Sequence, residues 1–358
     1  MKLIFTKNLI PGMCTGEEVI AQDGVIKLLA QGIVLNQSQI DSIRNWGLSS
    51  IYIEDSAENM KEQVMGVQMT KAEFTYGYAE TLNRIVHGFR HIKRFGEVPI
   101  AEMNELVDQK IILLVESIGG IAHFNEMRSY SDNTFSHSLN VAVIAGILGK
   151  WCNYRNAELK NIILSALLHD IGKLSVPLSI LNKPGRLSDE EFAVIKKHPQ
   201  EGYQMINEDA RISNDIKLGI WQHHERLDGS GYPRGLVGNE IFAVAKIISI
   251  ADAYDAITSE RIYHHKKTPL EALDILAEDM FKKLDPVVCM TFMEHMENYF
   301  IGNSVILSNG QQAKIIGFNT KEKCFIKPLV CLYNGDILNL QKERICIEGI
   351  DCKDIKIK

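Results

Sequence analysis

Residues 162–170 read Ile162-Ile163-Leu164-Ser165-Ala166-Leu167-Leu168-His169-Asp170, an almost wholly apolar run that ends in an imidazole and a carboxylate. Around it the apolar residues keep helical spacing. Val141, Ile144 and Leu148 follow His137 along one helix face. Ser188 and Glu191 form a Ser-x-x-Glu capping box, which opens a helix reaching His198. Residues 241–256 read as a buried helix with few charges, and Pro286 suits the first turn of another. Residues 121–300 are therefore expected to form an all-helical core domain.

Working outward, residues 71–120 carry few breakers and place Ile111, Leu114 and Ile118 at helical spacing. They read as connecting helices or as the first layer of the helical domain. Residues 1–70 mix short β-like runs with turns at Pro11-Gly12 and Asp23-Gly24. Ile51-Tyr52-Ile53 is strand-like and residues 40–46 suit a short helix, so a small α/β module is expected. Residues 301–358 are β-like at Val305-Ile306-Leu307, Ala313-Lys314-Ile315-Ile316 and Cys324-Phe325-Ile326. Turn signals at Asn309-Gly310 and Asn334-Gly335 divide them into a small β module of roughly five strands. The fold class is mainly α, a helical core flanked by a small N-terminal α/β module and a small C-terminal β module.

Composition narrows the function. The chain has 358 residues, 46% hydrophobic and 23% charged, as in soluble globular proteins. A net charge of -6 argues against a nucleic acid polymer as partner, which calls for a basic face. A small phosphate ligand stays compatible, because a metal centre supplies its own positive charge. The seven cysteines are odd in number, irregularly spaced and without a Cys-x-x-Cys, which fits a reducing, cytoplasmic setting. No apolar stretch approaches membrane length and the N-terminus lacks a signal-like apolar run, so no membrane partner is expected.

The chemistry lies in His137, His169-Asp170, His198, His223-His224 and Asp252. Imidazoles and carboxylates together suit first-row transition metals, and paired metals are a common device for breaking phosphate esters. Asp170 has two oxygens and can touch two metals at once, with His169 on one side. His223-His224, in a turn-rich stretch, could place one imidazole on each metal. Asp252, a carboxylate in an apolar helix, needs a partner, and its neighbour Asp255 shares that ambiguity. The reading requires the two histidine doublets to meet in space.

In their order these residues resemble the HD-GYP family, a branch of the HD phosphohydrolase superfamily. The resemblance rests on His169-Asp170-Ile171-Gly172-Lys173, Asn182-Lys183-Pro184-Gly185-Arg186-Leu187, Lys197-His198-Pro199, and the run from His223 to Gly231-Tyr232-Pro233. It closes on Ala251-Asp252-Ala253-Tyr254-Asp255-Ala256-Ile257-Thr258-Ser259 and Arg261, and covers about residues 125–300. It implies an HD-type helical core, a metal centre, and phosphodiesterase activity that opens cyclic di-GMP to linear pGpG or GMP. The implied ligands are His137, His169, Asp170, His198, His223, His224 and Asp252, the set that coordination chemistry also selects. Iron or manganese is the implied metal. Some family members hold a third ion through a glutamate one helical turn before the first histidine. Here that position is Asn133, a poor ligand, and Asp132 points elsewhere on a helix, so two divalent transition-metal ions are expected.

The expected chemistry is in-line attack on phosphorus by a hydroxide that bridges two cations, with Asp170 holding them together. Lys173 lies one turn beyond His169, placed to bind a phosphoryl oxygen or protonate the leaving group. Arg261 suits a second phosphate or a guanine edge, and Lys183 and Arg186 are candidates for the same task. Tyr232 stacks on a base or bonds a phosphate; alternatively Gly231-Tyr232-Pro233 shapes the loop that orients His223 and His224. Two rival readings stand beside this one: an HD-type hydrolase of another nucleotide, cyclic or not, and a non-catalytic nucleotide-sensing module. The flanking modules suggest regulation, through a homodimer or a regulatory protein partner.

Overall fold

The computed structural model describes residues 1–21, 26–54, 67–117, 119–127, 134–259, 267–318 and 325–351. Asp23-Gly24, Ile118, Asp132, Asn133, Arg261 and Cys324 lie outside them. The chain divides into two units: Val67–Phe292, and Met1–Gly66 together with Met293–Lys358.

The second of these is strand-rich. Strand β1 (Lys2–Phe5) pairs antiparallel with β4 (Ser50–Ile53), and β2 (Val19–Ile20) with β3 (Lys27–Leu29). Helix α1 (Gln37–Asn45) opens on a capping box between Asn36 and Gln39. Strands β5 (Ser304–Leu307), β6 (Gln312–Gly317), β7 (Leu329–Leu332), β8 (Ile337–Asn339) and β9 (Ile347–Asp351) form one antiparallel sheet in the order β8-β7-β6-β5-β9. Five strands are thus present, although Phe325 and Ile326, expected in one, lie in a turn.

The flanks, expected as separate modules at 1–70 and 301–358, here make one unit. The Ile316 carbonyl accepts hydrogen bonds from Ser42 Oγ at 3.3 Å and Trp46 Nε1 at 3.0 Å, and Lys27 bridges to Phe318. The two-stranded pairs of the N-terminal segment are too small to be stable alone.

The helical unit begins with α2 (Lys71–Phe95), α3 (Ile100–Leu106), a π turn (Val107–Ile111) and α4 (Ile112–Glu116). Residues expected as connectors therefore belong to the helical unit. There follow α5 (Gly120–Met127), α6 (Thr134–Trp151), α7 (Asn156–Leu168), a 3-10 turn (Ile171–Ser175), α8 (Leu178–Leu181) and α9 (Asp189–Ile195). The last are α10 (His198–Ile206), α11 (Asn214–Gln222), α12 (Ala243–Thr258), α13 (Pro269–Asp279) and α14 (Pro286–Phe300), the unit boundary falling within α14.

Helix α6 is the centre of this unit. Leu139, Val141, Ala142, Val143, Ile144, Ala145 and Leu148 are all buried, so the helix is covered on every side rather than on the single face expected. It packs on α7, where Ile162, Ile163, Leu164, Ala166, Leu167 and Leu168 are buried, and on α12. Each such aliphatic side chain contributes about 1.5–3 kcal/mol of burial, so the segment that carries His169-Asp170 is firmly held.

Candidate metal centre

Three of the candidate ligands stand where helices stop. Helix α7 ends at Leu168, and Asp170 turns out of helical geometry at φ -102°, ψ 8°. The last-turn carbonyls of a helix lack their usual N–H partners. His169 Nδ1 takes one of them, the Ala166 carbonyl, at 2.7 Å. The capping box at Ser188 opens α9 as expected, but the helix stops at Ile195 instead of reaching His198. Pro199 has no N–H to offer the Ile195 carbonyl, and His198 Nδ1 bonds it at 2.8 Å. Helix α11 ends at Gln222, and His223 Nδ1 bonds the Ile220 carbonyl at 2.8 Å.

A carbonyl only accepts, so each Nδ1 carries the proton and each Nε2 presents its lone pair. His137 on α6 is oriented through a carboxylate instead: its Nδ1 lies 2.7 Å from Asp255 Oδ2 on α12. Asp252 and Asp255, three residues apart on that helix, share one side of it. Sequence left Asp255 ambiguous; the structure places it behind His137, where it fixes the ring of that candidate ligand.

The seven candidate ligands converge. Ligand atoms of Asp170, His198, His223 and His224 lie within 4.8 Å of one another, as do those of His137, His169 and Asp252. The two histidine doublets meet, with the rings of His169 and His223 4.9 Å apart. Both His223 and His224 fall in the group with Asp170 and His198, whereas sequence suggested one for each metal.

Asp170 connects the groups. Its Oδ2 is 3.5 Å from His137 Nε2 and 3.4 Å from His169 Nε2, while its Oδ1 is 3.2 Å from His198 Nε2. Despite that proximity Oδ1 makes no aligned hydrogen bond, and neither does His169 Nε2; both atoms are buried. A buried polar atom left without a partner costs about 1–3 kcal/mol. His198 Nε2 and His223 Nε2 also face each other at 3.2 Å, lone pair against lone pair. Orphaned donors of this kind, nitrogen and carboxylate oxygen together, fit divalent transition metals.

Electrostatics agree with ligation. Burial and the neighbouring rings of His169 and His198 hold His223 well below the ordinary imidazole range. Burial does the same to His224 against the pull of Asp252. Both rings are neutral, as ligation requires. Burial would raise Asp170 and Asp252, but adjacent cationic groups and hydrogen bonds outweigh it and keep both carboxylates ionised. Burial also opposes charge on His137, yet Asp252 and Asp255 push its pKa up to about 9. The same two carboxylates would draw a divalent cation.

A family profile described as HD domain matches residues 123–288. A cyclic di-GMP phosphodiesterase of Pseudomonas aeruginosa is 32% identical over 232 residues, 65% of this chain and 56% of that protein. The cyclic di-GMP phosphodiesterase response regulator RpfG of Xanthomonas campestris pv. campestris is 35% identical, covering 52% of this chain and 48% of its own. Residues 123–288 thus carry an HD domain, and the relatives are in keeping with the resemblance to the HD-GYP branch. The chain spans about half the length of the curated relatives it matches. A 3'3'-cGAMP-specific phosphodiesterase of Vibrio cholerae is also 35% identical, over 52% of this chain and 44% of that one. For the fold, an HDG"Y"P protein from Bdellovibrio bacteriovorus aligns with 82% of this chain and 99% of its own, at TM-score 0.52 and 18% identity.

The loop carrying Gly231-Tyr232-Pro233 is built on Glu225, to which the sequence analysis gave no role. Glu225 is buried and accepts from the backbone N–H of Arg234 at 2.8 Å and of Leu236 at 2.9 Å. A Cβ at Gly231 would come within 2.4 Å of Arg226 N, so only glycine lets the strands of the loop meet. The loop lays Tyr232 on His224, ring centroids 4.7 Å apart. On the opposite side a Cβ at Gly172 would reach 2.0 Å from the His198 carbonyl oxygen, which keeps the His169-Asp170 turn tight against α10.

The other expected residues divide. Lys173 Nζ donates to Asp170 Oδ2 at 2.6 Å and so reaches the centre directly. Lys183 is ion-paired to Glu191 at 2.6 Å, which neutralises it. Arg186 is exposed. Among the described residues no helix is long and apolar enough to cross a membrane, and no cysteine is in a disulfide.

Proposed function

We infer that this chain is a metal-dependent phosphodiesterase that hydrolyses a cyclic dinucleotide, cyclic di-GMP first among them, to the linear dinucleotide or the mononucleotide. The observation that carries this reading is Asp170, whose two oxygens face different histidines inside a ring of ligands with unpartnered atoms. Two divalent cations would sit here, iron or manganese as the resemblance to HD-GYP proteins implies, held by His137, His169, Asp170, His198, His223, His224 and Asp252. When bound, they polarise phosphoryl oxygens and supply a nucleophile from water at neutral pH.

The chain's own residues do the rest. Asp170 stays ionised and ties the two ligand groups together. Lys173 brings a cation to the edge of the centre, where charge grows on the phosphoryl oxygens and the leaving oxygen needs a proton. Tyr232 forms a wall over His224 against which a base or sugar packs. Arg261 is proposed to grip the second phosphate or a guanine edge.

A second substrate, 3'3'-cGAMP, is favoured by the name of the Vibrio cholerae relative. A non-catalytic sensor is disfavoured because all seven ligand types stand together. The test is anaerobic purification, metal quantification, and an assay against a panel of cyclic dinucleotides with product analysis. The expected result is two ions per chain and turnover of cyclic di-GMP. Intact metal with no turnover on any member would favour the sensor, and three ions would refute the two-metal reading based on Asn133.

A further inference from the structure

Lys196 was not among the residues singled out from sequence. It caps α9, with its backbone N–H bonded to the Phe192 carbonyl at 2.9 Å, two residues before the ligand His198. Its ammonium lies 4.7 Å from the centre of the Phe192 ring and 5.5 Å from that of Tyr232. The Tyr232 ring in turn lies on His224. Two short steps, 5.5 Å and then 4.7 Å, therefore lead from this cation to a ligand of the centre.

Four other cations of this region are already engaged. Lys173 is held by Asp170 and Lys183 by Glu191. Arg226 bonds Ser249 Oγ at 2.6 Å, and Arg234 lies over the Trp221 ring. Among the described residues the Lys196 ammonium has no carboxylate partner and meets only the two rings. It is exposed, and Phe192 is 44% exposed. A cation held only by aromatic faces, one of them exposed, is weakly held and readily exchanged for a stronger anionic partner. A large exposed aromatic beside a cation also offers what a base and its phosphate need, a face to stack on and a charge to pair with.

We propose that Lys196 and Phe192 form the outer subsite of this centre: Lys196 binds the phosphate that is not being cleaved, and Phe192 stacks on the adjoining base. This rests on the phosphodiesterase reading above. Ring closure of two nucleotides puts the second phosphate across the ring from the first. A substrate whose scissile phosphate is at Asp170 must therefore have an anion further out, past Tyr232. Lys196 makes no contact with the reacting phosphorus, so its role is affinity rather than chemistry.

The test compares two diesters on the full-length, metal-loaded protein. Cyclic di-GMP carries a second phosphate and bases; bis(p-nitrophenyl) phosphate carries neither. Lys196→Ala should raise KM and Kd for cyclic di-GMP about tenfold, with kcat, metal content and turnover of the aryl diester unchanged. Lys196→Arg should restore most of the loss, and Phe192→Ala should raise KM on the order of fivefold. An unchanged KM and Kd for cyclic di-GMP in Lys196→Ala would overturn the proposal, as would equal losses on both diesters. If the wild-type protein binds cyclic di-GMP without cleaving it, the phosphodiesterase reading fails while the Kd ratio still decides on Lys196. A wild-type protein that neither binds nor cleaves any of a panel of cyclic dinucleotides overturns both.

Discussion

Thr15 in the strand-rich unit and Asp170 in the helical unit are both buried polar side chains, at 0% and 2% exposure. Their hydrogen bonding is opposite. Thr15 Oγ1 donates to the Ala30 carbonyl at 2.7 Å and accepts from Ile33 N–H at 2.8 Å. Asp170 Oδ1 sits among imidazole nitrogens with no aligned hydrogen bond. A polar group buried for stability is satisfied by the chain itself, since an open valence lowers stability. A polar group that is buried and left open beside others like it is arranged for something the chain does not contain. Open atoms occur elsewhere among the described residues, but at His169 and Asp170 they lie within a cluster of imidazoles and carboxylates, and it is the two features together that mark a candidate ligand.

Substitutions can break that contrast. Asp170→Ala should remove the connection between the ligand groups, lowering turnover of cyclic di-GMP by about a thousandfold and the metal content with it. Circular dichroism should show the helical unit intact, and retained activity would contradict the bridging role. Asp255→Asn keeps an accepting oxygen for His137 Nδ1 but loses the charge, and should weaken metal affinity about tenfold; Asp255→Ala should weaken it about a hundredfold. Competition with a chelator measures both, and equal affinities across the series would reduce Asp255 to a packing residue.

Smaller effects sharpen the comparison. Glu225→Gln turns one accepting oxygen into an amide nitrogen facing an N–H, a loss of about 1–3 kcal/mol in the loop. The expected outcome is a severalfold higher KM with unchanged metal content, because the loop carries Tyr232 while His223 is held by its own helix end. Thr15→Val should leave turnover untouched and lower the stability of the strand-rich unit by about 1–3 kcal/mol in urea unfolding. A fall in activity there would mean that satisfied and open burial do not divide the two roles.

Much of this was legible in the sequence because it is local. The capping box at Ser188, the turn at Asn309-Gly310, and the helices around residues 137 and 241–256 follow from propensity and spacing. The candidate ligands were legible by type and order, and the structure brings those seven side chains together. What escaped is non-local or depends on termination. The joining of the two chain ends into one unit rests on contacts such as Ser42 with Ile316, across 274 residues. The all-round burial of α6 leaves no amphipathic signal to read. The break before His198 needed the link between a missing proline N–H and a carbonyl claimed by an imidazole. Glu225 and Lys196 carry no signal in spacing or residue type, and only the loop and the helix end give them their places.

The most direct measurement is an anomalous-difference map from crystals of the iron- or manganese-loaded protein. The account predicts two peaks flanking Asp170, one beside His198, His223 and His224 and the other beside His137, His169 and Asp252. A single peak, or peaks that leave Asp170 touching neither ion, would contradict it.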